Sequence, residues 1–364
     1  MIAQRPGPLG PDATIGILGG GQLGRMLALA AARLGFKCHV LCPDPGSPAF
    51  DVVRRVTEAD YLDFAALDRF AADVDVVTYE FENVPAETAT FLSARKPVLP
   101  DPKVLATTQD RLIEKEFVQS LGIGTADFAA VDSPDMLACA LRKVGRPAVL
   151  KTRRFGYDGK GQVMVRDGGD PVALFNDLGG QAQILEAFVA FEREISVVAA
   201  RSGSGQIESF DVIENEHSDH ILKTSRVPAA VSPAVAAEAR RIAETIAEAF
   251  GYVGVLAVEM FVVKDGAGHA VLVNEIAPRV HNSGHWTIDG ASVSQFEQHI
   301  RAVAGLLLGQ PIRRGRVEMT NLLGDDVKDL GRWLSTPDAA VHLYGKTAVR
   351  PGRKMGHVTQ VFAE

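Results

Sequence analysis

Apolar residues are distributed along this chain in two alternating rhythms. Short runs of consecutive hydrophobics, the pattern of strands buried on both faces, alternate with stretches where apolar positions recur every three or four residues, the pattern of helices with one face on a core. Thr14 to Leu18 is the first run. After Gly19-Gly-Gly-Gln-Leu-Gly24, residues Leu23, Met26, Leu27, Ala31 and Leu34 share one helical face, and residues 37–41 form a second strand. A third occupies 74–79 and leads into Glu80-Phe-Glu-Asn83, and Val98-Leu99 supply a fourth before Pro100-Asp-Pro102 interrupts. This alternation predicts a parallel, Rossmann-like sheet covered by helices, ending near residue 108.

Beyond that point the rhythm changes. A helix over 109–120 precedes a smaller α/β unit at about 125–190; residues 195–200 and 207–212 read as antiparallel strands, and 234–250 as a long helix. Residues 254–263 and 269–276 form a hairpin about a turn at 264–268. A helix over roughly 291–308 is followed by short strands and a basic tail. The expected organisation is therefore mixed α/β and α+β in three parts: 1–108, with 1–12 as a disordered arm; 109–310, with 125–190 as a lid; and a small β-rich part at 311–364.

At 364 residues and 46% hydrophobic, the chain is long enough for two or three cores. A net charge of −7 argues against a general binder of nucleic acid or membrane surface, so an anionic ligand must be held by local clusters of Lys and Arg. Three irregularly spaced cysteines suit neither a disulfide framework nor a zinc site, and Met1 to Gly10 is no signal peptide; both fit a cytoplasmic protein.

Two constellations carry chemistry. In Lys151-Thr-Arg-Arg-Phe-Gly-Tyr-Asp-Gly-Lys-Gly-Gln162, a strand end is followed by Gly156, Gly159 and Gly161 interleaved with Lys160. Glycines expose backbone amides and lysines add mobile charge, a combination suited to polyphosphate. In the hairpin, Glu259 and Glu275 are lone charges in apolar strands and fall nearly opposite each other. Directly opposed side chains lie about 4.5–5.5 Å apart at Cβ, and two like charges so close conflict unless a cation is shared. Magnesium, a hard ion taking oxygen ligands, suits the pair, with manganese as a second candidate. The Gly19-x-Gly21-x-x-Gly24 turn followed by Asp44 also matches a dinucleotide fingerprint, which leaves open NAD, a sugar phosphate or a tight turn alone.

Together with Tyr79-Glu-Phe-Glu-Asn-Val-Pro85, Gln109-Asp-Arg111 and Asn274-Glu-Ile-Ala-Pro-Arg-Val-His-Asn-Ser-Gly-His-Trp-Thr287, these motifs resemble the ATP-grasp ligases, and among them the 5-(carboxyamino)imidazole ribonucleotide synthases. The resemblance runs from residue 19 to about 357. It implies an ATP-grasp fold behind a Rossmann-like pre-ATP-grasp domain, and ATP-dependent carboxylation of 5-aminoimidazole ribonucleotide with bicarbonate through carboxyphosphate, in purine biosynthesis. It implies that Arg111 and Lys151 contact the ATP phosphates, that Gly156, Tyr157, Asp158, Gly159, Lys160, Gly161 and Gln162 close over them, and that Glu186-Ala187-Phe188-Val189 meets the adenine edge. Glu194 then binds the ribose, with His217 and Asn274 near the nucleotide and Glu259 and Glu275 on magnesium.

For the second substrate, Arg279 and His281 lie just past the metal strand and are expected at bicarbonate, a guanidinium there stabilising carboxyphosphate. Arg279, His281, Lys151 and Asp158 form the expected catalytic set. Tyr157, Asp158, Glu80, Gly21 and Gln22 are expected at the aminoimidazole ribonucleotide, with Lys346 and Arg353 on its phosphate; the tail at 346–357 carries four cations and one histidine in twelve residues. An unstable carboxyphosphate demands a water-excluding lid, and the family's habit suggests a homodimer. The alternatives are a formate-dependent transformylase of the same superfamily, an NAD-dependent oxidoreductase, and a non-catalytic nucleotide sensor. Two positions depart from the family pattern: Phe155, where many relatives have glycine, and Arg226, where a small or apolar residue is expected.

Overall fold

The computed structural model describes residues 7–156, 159–166, 168–266 and 268–363; Tyr157 and Asp158 of the phosphate loop, and the first half (1–6) of the expected N-terminal arm, lie outside them. The chain opens with β1 (Thr14–Leu18), α1 (Gln22–Arg33), β2 (Lys37–Cys42), β3 (Arg55–Glu58), α2 (Phe64–Ala72), β4 (Val76–Tyr79), α3 (Ala86–Ser93) and α4 (Pro102–Thr108). Its parallel sheet has the order β3-β2-β1-β4. Progress reverses between β1 and β4, the switch point where α/β sheets place ligands at the strands' carboxyl ends. Both the glycine turn after β1 and Glu80 after β4 sit there. Val98, expected in a strand, makes only an isolated bridge to Val77.

Helix α5 (Arg111–Ser120) leads into the second layer, built from β5 (Phe128–Val131), α6 (Pro134–Val144), β6 (Ala148–Thr152), β7 (Gln162–Val165), α7 (Pro171–Asp177) and β8 (Gln183–Ala187). These strands form a separate antiparallel sheet, β5-β8-β6-β7. Lys151 ends β6 and the glycine loop crosses to β7, so the loop is the tip of a hairpin.

The remainder comprises β9 (Arg193–Arg201), β10 (Ile207–Ser209), β11 (Ile213–Ser218), β12 (Ile221–Val227), α8 (Pro233–Ala249), β13 (Gly254–Asp265), β14 (Gly268–Ala277), α9 (Thr287–Gly290), α10 (Gln295–Ala304), β15 (Arg316–Leu323), α11 (Leu330–Leu334), β16 (Ala339–Leu343) and β17 (Lys354–Phe362). All of its strands join one nine-stranded sheet, ordered β14-β13-β9-β11-β12-β15-β17-β16 with β10 beside β9. The β-rich C-terminal segment thus extends, from its opposite edge, the sheet that carries the two glutamates, and Lys354 of β17 is near enough to Glu259 to act on its charge.

One core is shared between the first layer and this sheet. Ile15, Ile17, Leu27 and Ala31 pack with Phe296, Ile300 and Val303 of α10, all at most 2% exposed. Each fully buried side chain of this size contributes about 1.5–3 kcal/mol. His299 pins the joint: its Nε2 lies 2.8 Å from Thr78 Oγ1 of β4 while Val255 N of β13 donates to its Nδ1 at 3.1 Å. Residues 7–12, expected within a disordered arm, are also tied down, since Leu9 N donates to Ala304 O at 2.9 Å and Asp12 pairs with Lys37.

Candidate active site

The hairpin of β13 and β14 places Glu259 directly opposite Glu275. The turn closes with Asp265 opposite Gly268, and one extra residue, Asn274, is absorbed as a bulge beside Glu259 and Met260. A bulge of this kind re-aims side chains near a site, and here it brings the two carboxylates into register. Burial alone would raise the Glu259 pKa, yet the bond from His281, with His217 and Lys354 nearby, holds it below the ordinary carboxylate range. The His281 Nε2 lies 3.0 Å from Glu259 Oε1. Among the described residues no three His, Cys, Asp or Glu converge as a self-sufficient metal cage. Two opposed carboxylates fit a hard cation that takes its other ligands from phosphate oxygens and water, as magnesium does.

Helix α5 grips β14, the strand that carries Glu275. Arg111 donates to Glu275 Oε2 at 3.1 Å, Lys115 to Asn274 O at 3.2 Å, and Ile276 N donates to Glu114 Oε2 at 3.2 Å. Burial and the neighbouring Glu275 push the Glu114 carboxyl up to about 8. Lys115, only 3% exposed, also reaches Glu186 Oε2 at 3.4 Å, which accepts a 2.9 Å bond from Lys151. Burial would raise Glu186, but the two lysines hold it at about 2. Burial likewise depresses Lys151, with Glu186 opposing. Glu186, expected at the adenine edge, therefore points its carboxylate at the two lysines. The backbone around it is partly engaged, Ala187 N donating to Asp127 O and Phe188 N to Pro147 O.

The loop between β6 and β7 is anchored at both ends. Arg153 makes a bidentate pair with Asp110, the N-cap of α5, and Arg154 donates to Gln109 Oε1 at 2.7 Å. Arg111 donates to Gly156 O at 3.3 Å, so one guanidinium touches both the loop and the metal strand. Phe155 adopts φ +62°, a conformation that glycine enters freely and other residues do at a cost, which is a physical reason for the glycine expected there. At Gly159 a Cβ would fall 2.6 Å from His220 Cβ, so the loop tip abuts the turn between β11 and β12. Arg226, the other departure, bridges its neighbours across β12, pairing with Glu216 at 2.9 Å and Glu318 at 3.0 Å.

Beside this loop lies a groove of ≈ 660 Å³ lined by Phe191, Glu194, Asn215, His217 and His220 among others. Glu194 Oε2 and His217 Nδ1 are 2.5 Å apart. Burial would lower His217, but that bond and the nearby Glu259 carry its pKa upward. Glu194, the expected ribose acid, and His217 thus form one ion pair on the groove wall. Asn274, Glu259 and His217 meet again in a small recess at its inner end.

The glycine turn holds a carboxylate. Gly21 N donates to Glu80 Oε1 at 2.5 Å and Gly24 N to Oε2 at 2.6 Å, at the N-terminus of α1 where amides lack helical partners. A Cβ on Gly19, Gly21 or Gly24 would lie 2.4, 2.6 or 2.7 Å from Glu80 or the Gly19 carbonyl. The fingerprint is therefore explained by the close approach of Glu80 and leaves those two amides unavailable to a dinucleotide. Next to it Lys346 donates to Gln22 Oε1, and also to Lys354 O at 2.7 Å. Arg353 donates to Ala348 O at 2.7 Å within its own turn. Arg279 forms a fork with Glu82, which the guanidinium holds down at about 2 against its burial. Lys115, Glu114 and Glu82 were not anticipated from sequence.

Three family models match in tandem: the ribonucleotide synthetase preATP-grasp domain over residues 12–109, the ATP-grasp domain over 116–296, and the phosphoribosylaminoimidazole carboxylase C-terminal domain over 318–364. The clamp of two sheets and the carboxylate hairpin are those of an ATP-grasp ligase. An N5-carboxyaminoimidazole ribonucleotide synthase of Brucella melitensis is 51% identical over 355 residues, covering 97% of both chains. The solved N5-carboxyaminoimidazole ribonucleotide synthetase of Thermus thermophilus superimposes with a TM-score of 0.89 at 47% identity, covering 96% of this chain and 94% of that one. A structure of the Aspergillus clavatus synthase in complex with ADP and 5-aminoimidazole ribonucleotide gives 0.87 at 31%, covering 97% and 94%. The chain belongs to the N5-carboxyaminoimidazole ribonucleotide synthase family.

Proposed function

We infer that this chain uses ATP to join bicarbonate to the exocyclic amine of 5-aminoimidazole ribonucleotide, giving N5-carboxyaminoimidazole ribonucleotide, ADP and phosphate. In this reading a bicarbonate oxygen attacks the γ-phosphorus as the bond to the β-phosphate oxygen breaks. The amine nitrogen then attacks the carboxyl carbon, phosphate leaves, and the amine loses a proton. Magnesium bound by Glu259 and Glu275 would neutralise charge on the transferred phosphoryl group. Lys151, Arg111 and the 156–162 loop hold the polyphosphate, and the groove with Glu194 and His217 takes the nucleoside. Arg279, fixed by Glu82, presents a planar donor to the carboxylate-like bicarbonate. Lys346 and Gln22 stand beside the Glu80 cradle, suited to the ribonucleotide, with Arg353 on the same turn as its further phosphate ligand. Homodimeric assembly and a cytoplasmic location complete the proposal; no helix among the described residues is long and apolar enough to cross a membrane.

The observation that carries this reading is the position of Arg111, whose guanidinium meets Glu275 Oε2 at 3.1 Å and Gly156 O at 3.3 Å. It joins the carboxylate hairpin to the phosphate loop, as a clamp around a metal–polyphosphate requires. The test is ADP release measured with each substrate omitted in turn. Release should require both 5-aminoimidazole ribonucleotide and bicarbonate; stimulation by glycinamide ribonucleotide and formate instead would overturn it.

A further inference from the structure

A line of buried polar side chains runs from the middle of the large sheet to Glu259. Ser225 Oγ donates to Asn215 Oδ1 at 2.9 Å, Asn215 Nδ2 to Ser196 Oγ at 2.9 Å, and Ser196 Oγ to Ser283 Oγ at 2.8 Å. Ser283 Oγ lies 2.9 Å from His281 Nδ1, and the far ring nitrogen, Nε2, lies 3.0 Å from Glu259 Oε1. Ser196, Ser225 and Ser283 are wholly buried, and Asn215 is 7% exposed. A polar chain so deep needs every member satisfied, since a lost partner leaves an uncompensated donor or acceptor in low dielectric.

The direction of these bonds is set at His281. Ser283 N donates to His281 Nδ1 at 3.3 Å, with His281 as the N-cap of the short turn over Asn282–Gly284. A backbone amide has only a proton to give, so Nδ1 must present a lone pair. With Nδ1 accepting, the ring proton lies on Nε2, aimed at the carboxylate. Ser283, having accepted from Ser196, turns its own hydroxyl proton to the same Nδ1 lone pair, at 2.9 Å against 3.3 Å for the amide that shares it, and all five side-chain donors point the same way.

We propose that Ser225, Asn215, Ser196 and Ser283 form a one-way hydrogen-bond relay that locks His281 in the Nε2-protonated tautomer, making it a fixed donor that positions Glu259. The cation-holding role of Glu259 on which the last clause rests is that of the proposed function. With Nδ1 occupied and Nε2 protonated, the ring presents a donor and no lone pair to the site. Its donation commits Oε1 of Glu259, and cation binding by this side chain falls to Oε2. Ser283 and its upstream partners are positioning residues, acting through His281. Outer-shell partners of this kind change metal affinity by about 10–100-fold when removed.

The test begins with the full-length protein free of nucleotide and metal. A long-range proton–nitrogen spectrum of histidine rings, with His281 assigned by the signal lost in His281→Asn, should give the pattern of Nε2 protonated and Nδ1 accepting. An Nδ1-protonated ring, or an average of both forms, would overturn the relay whatever the metal does. Ser283→Ala removes the 2.9 Å hydroxyl bond and leaves only the longer 3.3 Å amide bond on Nδ1, so it should blur the His281 pattern and weaken binding of magnesium–ADP by about tenfold. An unchanged spectrum with affinity within about twofold would also refute it. If the tautomer is as stated but Glu275→Gln leaves magnesium–ADP affinity intact, the cation reading fails while the lock on His281 stands.

Discussion

Replacing Glu80 with glutamine separates a carboxylate cradle from a vacant anion site. Both Glu80 oxygens accept backbone amides, from Gly21 at 2.5 Å and Gly24 at 2.6 Å, and the side chain is buried. Burial pushes its pKa up overall, although those two amides pull the other way; with both oxygens accepting, the hydrogen-bond geometry is that of the anion. Glutamine keeps the shape and one acceptor but turns an NH2 group toward the other amide. One hydrogen bond to a charged group is lost, about 1.5–3 kcal/mol, and a buried donor is left facing a donor, about 1–3 kcal/mol. Glu80→Gln should therefore lose about 3–5 kcal/mol in urea unfolding followed by circular dichroism, with an unchanged slope m. Gly21→Ala, which drives a Cβ to 2.6 Å from Glu80 Oε1, should move stability in the same direction. A loss below about 1 kcal/mol for Glu80→Gln at constant m would mean the glycines serve something other than this carboxylate.

Lys115→Met removes one of two buried cations on Glu186 and the donor to Asn274 O; a cost of about 3–5 kcal/mol in unfolding is expected, together with weaker ADP binding because Lys151 is left as the sole partner of Glu186. Thermal unfolding and an ADP titration read the two effects, and wild-type values in both would refute it. Phe155→Gly relieves a left-handed backbone costing about 1–2 kcal/mol, offset by about 0.5–1 kcal/mol of added unfolded-state freedom, and the side chain is 65% exposed, so little packing is lost. A stability drop beyond about 1 kcal/mol would contradict that strain. His299, neutral between Thr78 and Val255, has its pKa lowered by burial from 6.5 to about 4. Between those values the unfolded chain binds the extra proton, so the His299 contribution is complete above pH 6.5 and is lost as pH falls toward 4, by roughly 3 kcal/mol in all. Urea unfolding at pH 7, 6 and 5 should follow this trend, and His299→Gln should flatten it.

The elements that the sequence reveals are those with unbroken apolar runs. β1 is read to the residue, and the β13–β14 hairpin with its glutamate pair follows from two lone charges in hydrophobic strands. β3 escapes because it is an exposed edge whose residues Arg55, Val56 and Glu58 show no buried stripe. The glycine fingerprint misleads for a physical reason: the spacing specifies an anion at a helix N-terminus and cannot say whether it comes from a ligand or from Glu80, 56 residues beyond Gly24. Lys115 and Glu114 look like a solvated helix face until their partners, 71 to 162 positions away, are in place. A signal was nevertheless present. Positions 111, 114, 115 and 118 form one helical stripe in which Val118 is fully buried, while Ile113 on another face is 42% exposed. Charges on the inward face of an amphipathic helix mark a site.

The same pairing explains how so many buried charges coexist in the cleft without substrates. Glu186 is balanced by Lys151 and Lys115, Glu275 by Arg111, Arg279 by Glu82, and Glu259 accepts from His281. An isolated ion in such surroundings would cost several kcal/mol, so each functional group is kept charged by a partner at hand. Two lysines on one glutamate then have distinct uses. Lys151, at the end of β6 beside the phosphate loop, is the one placed to be recruited by a polyphosphate. Lys115, held by Asn274 O at 3.2 Å and only 3% exposed, stays behind on Glu186. Exchange of partners by Lys151 therefore strands no charge, and the anion that takes it need supply only the difference between two paired states. A cleft wired in this way binds an anionic nucleotide by swapping ion pairs rather than by creating them, which lowers the desolvation cost of closing over it.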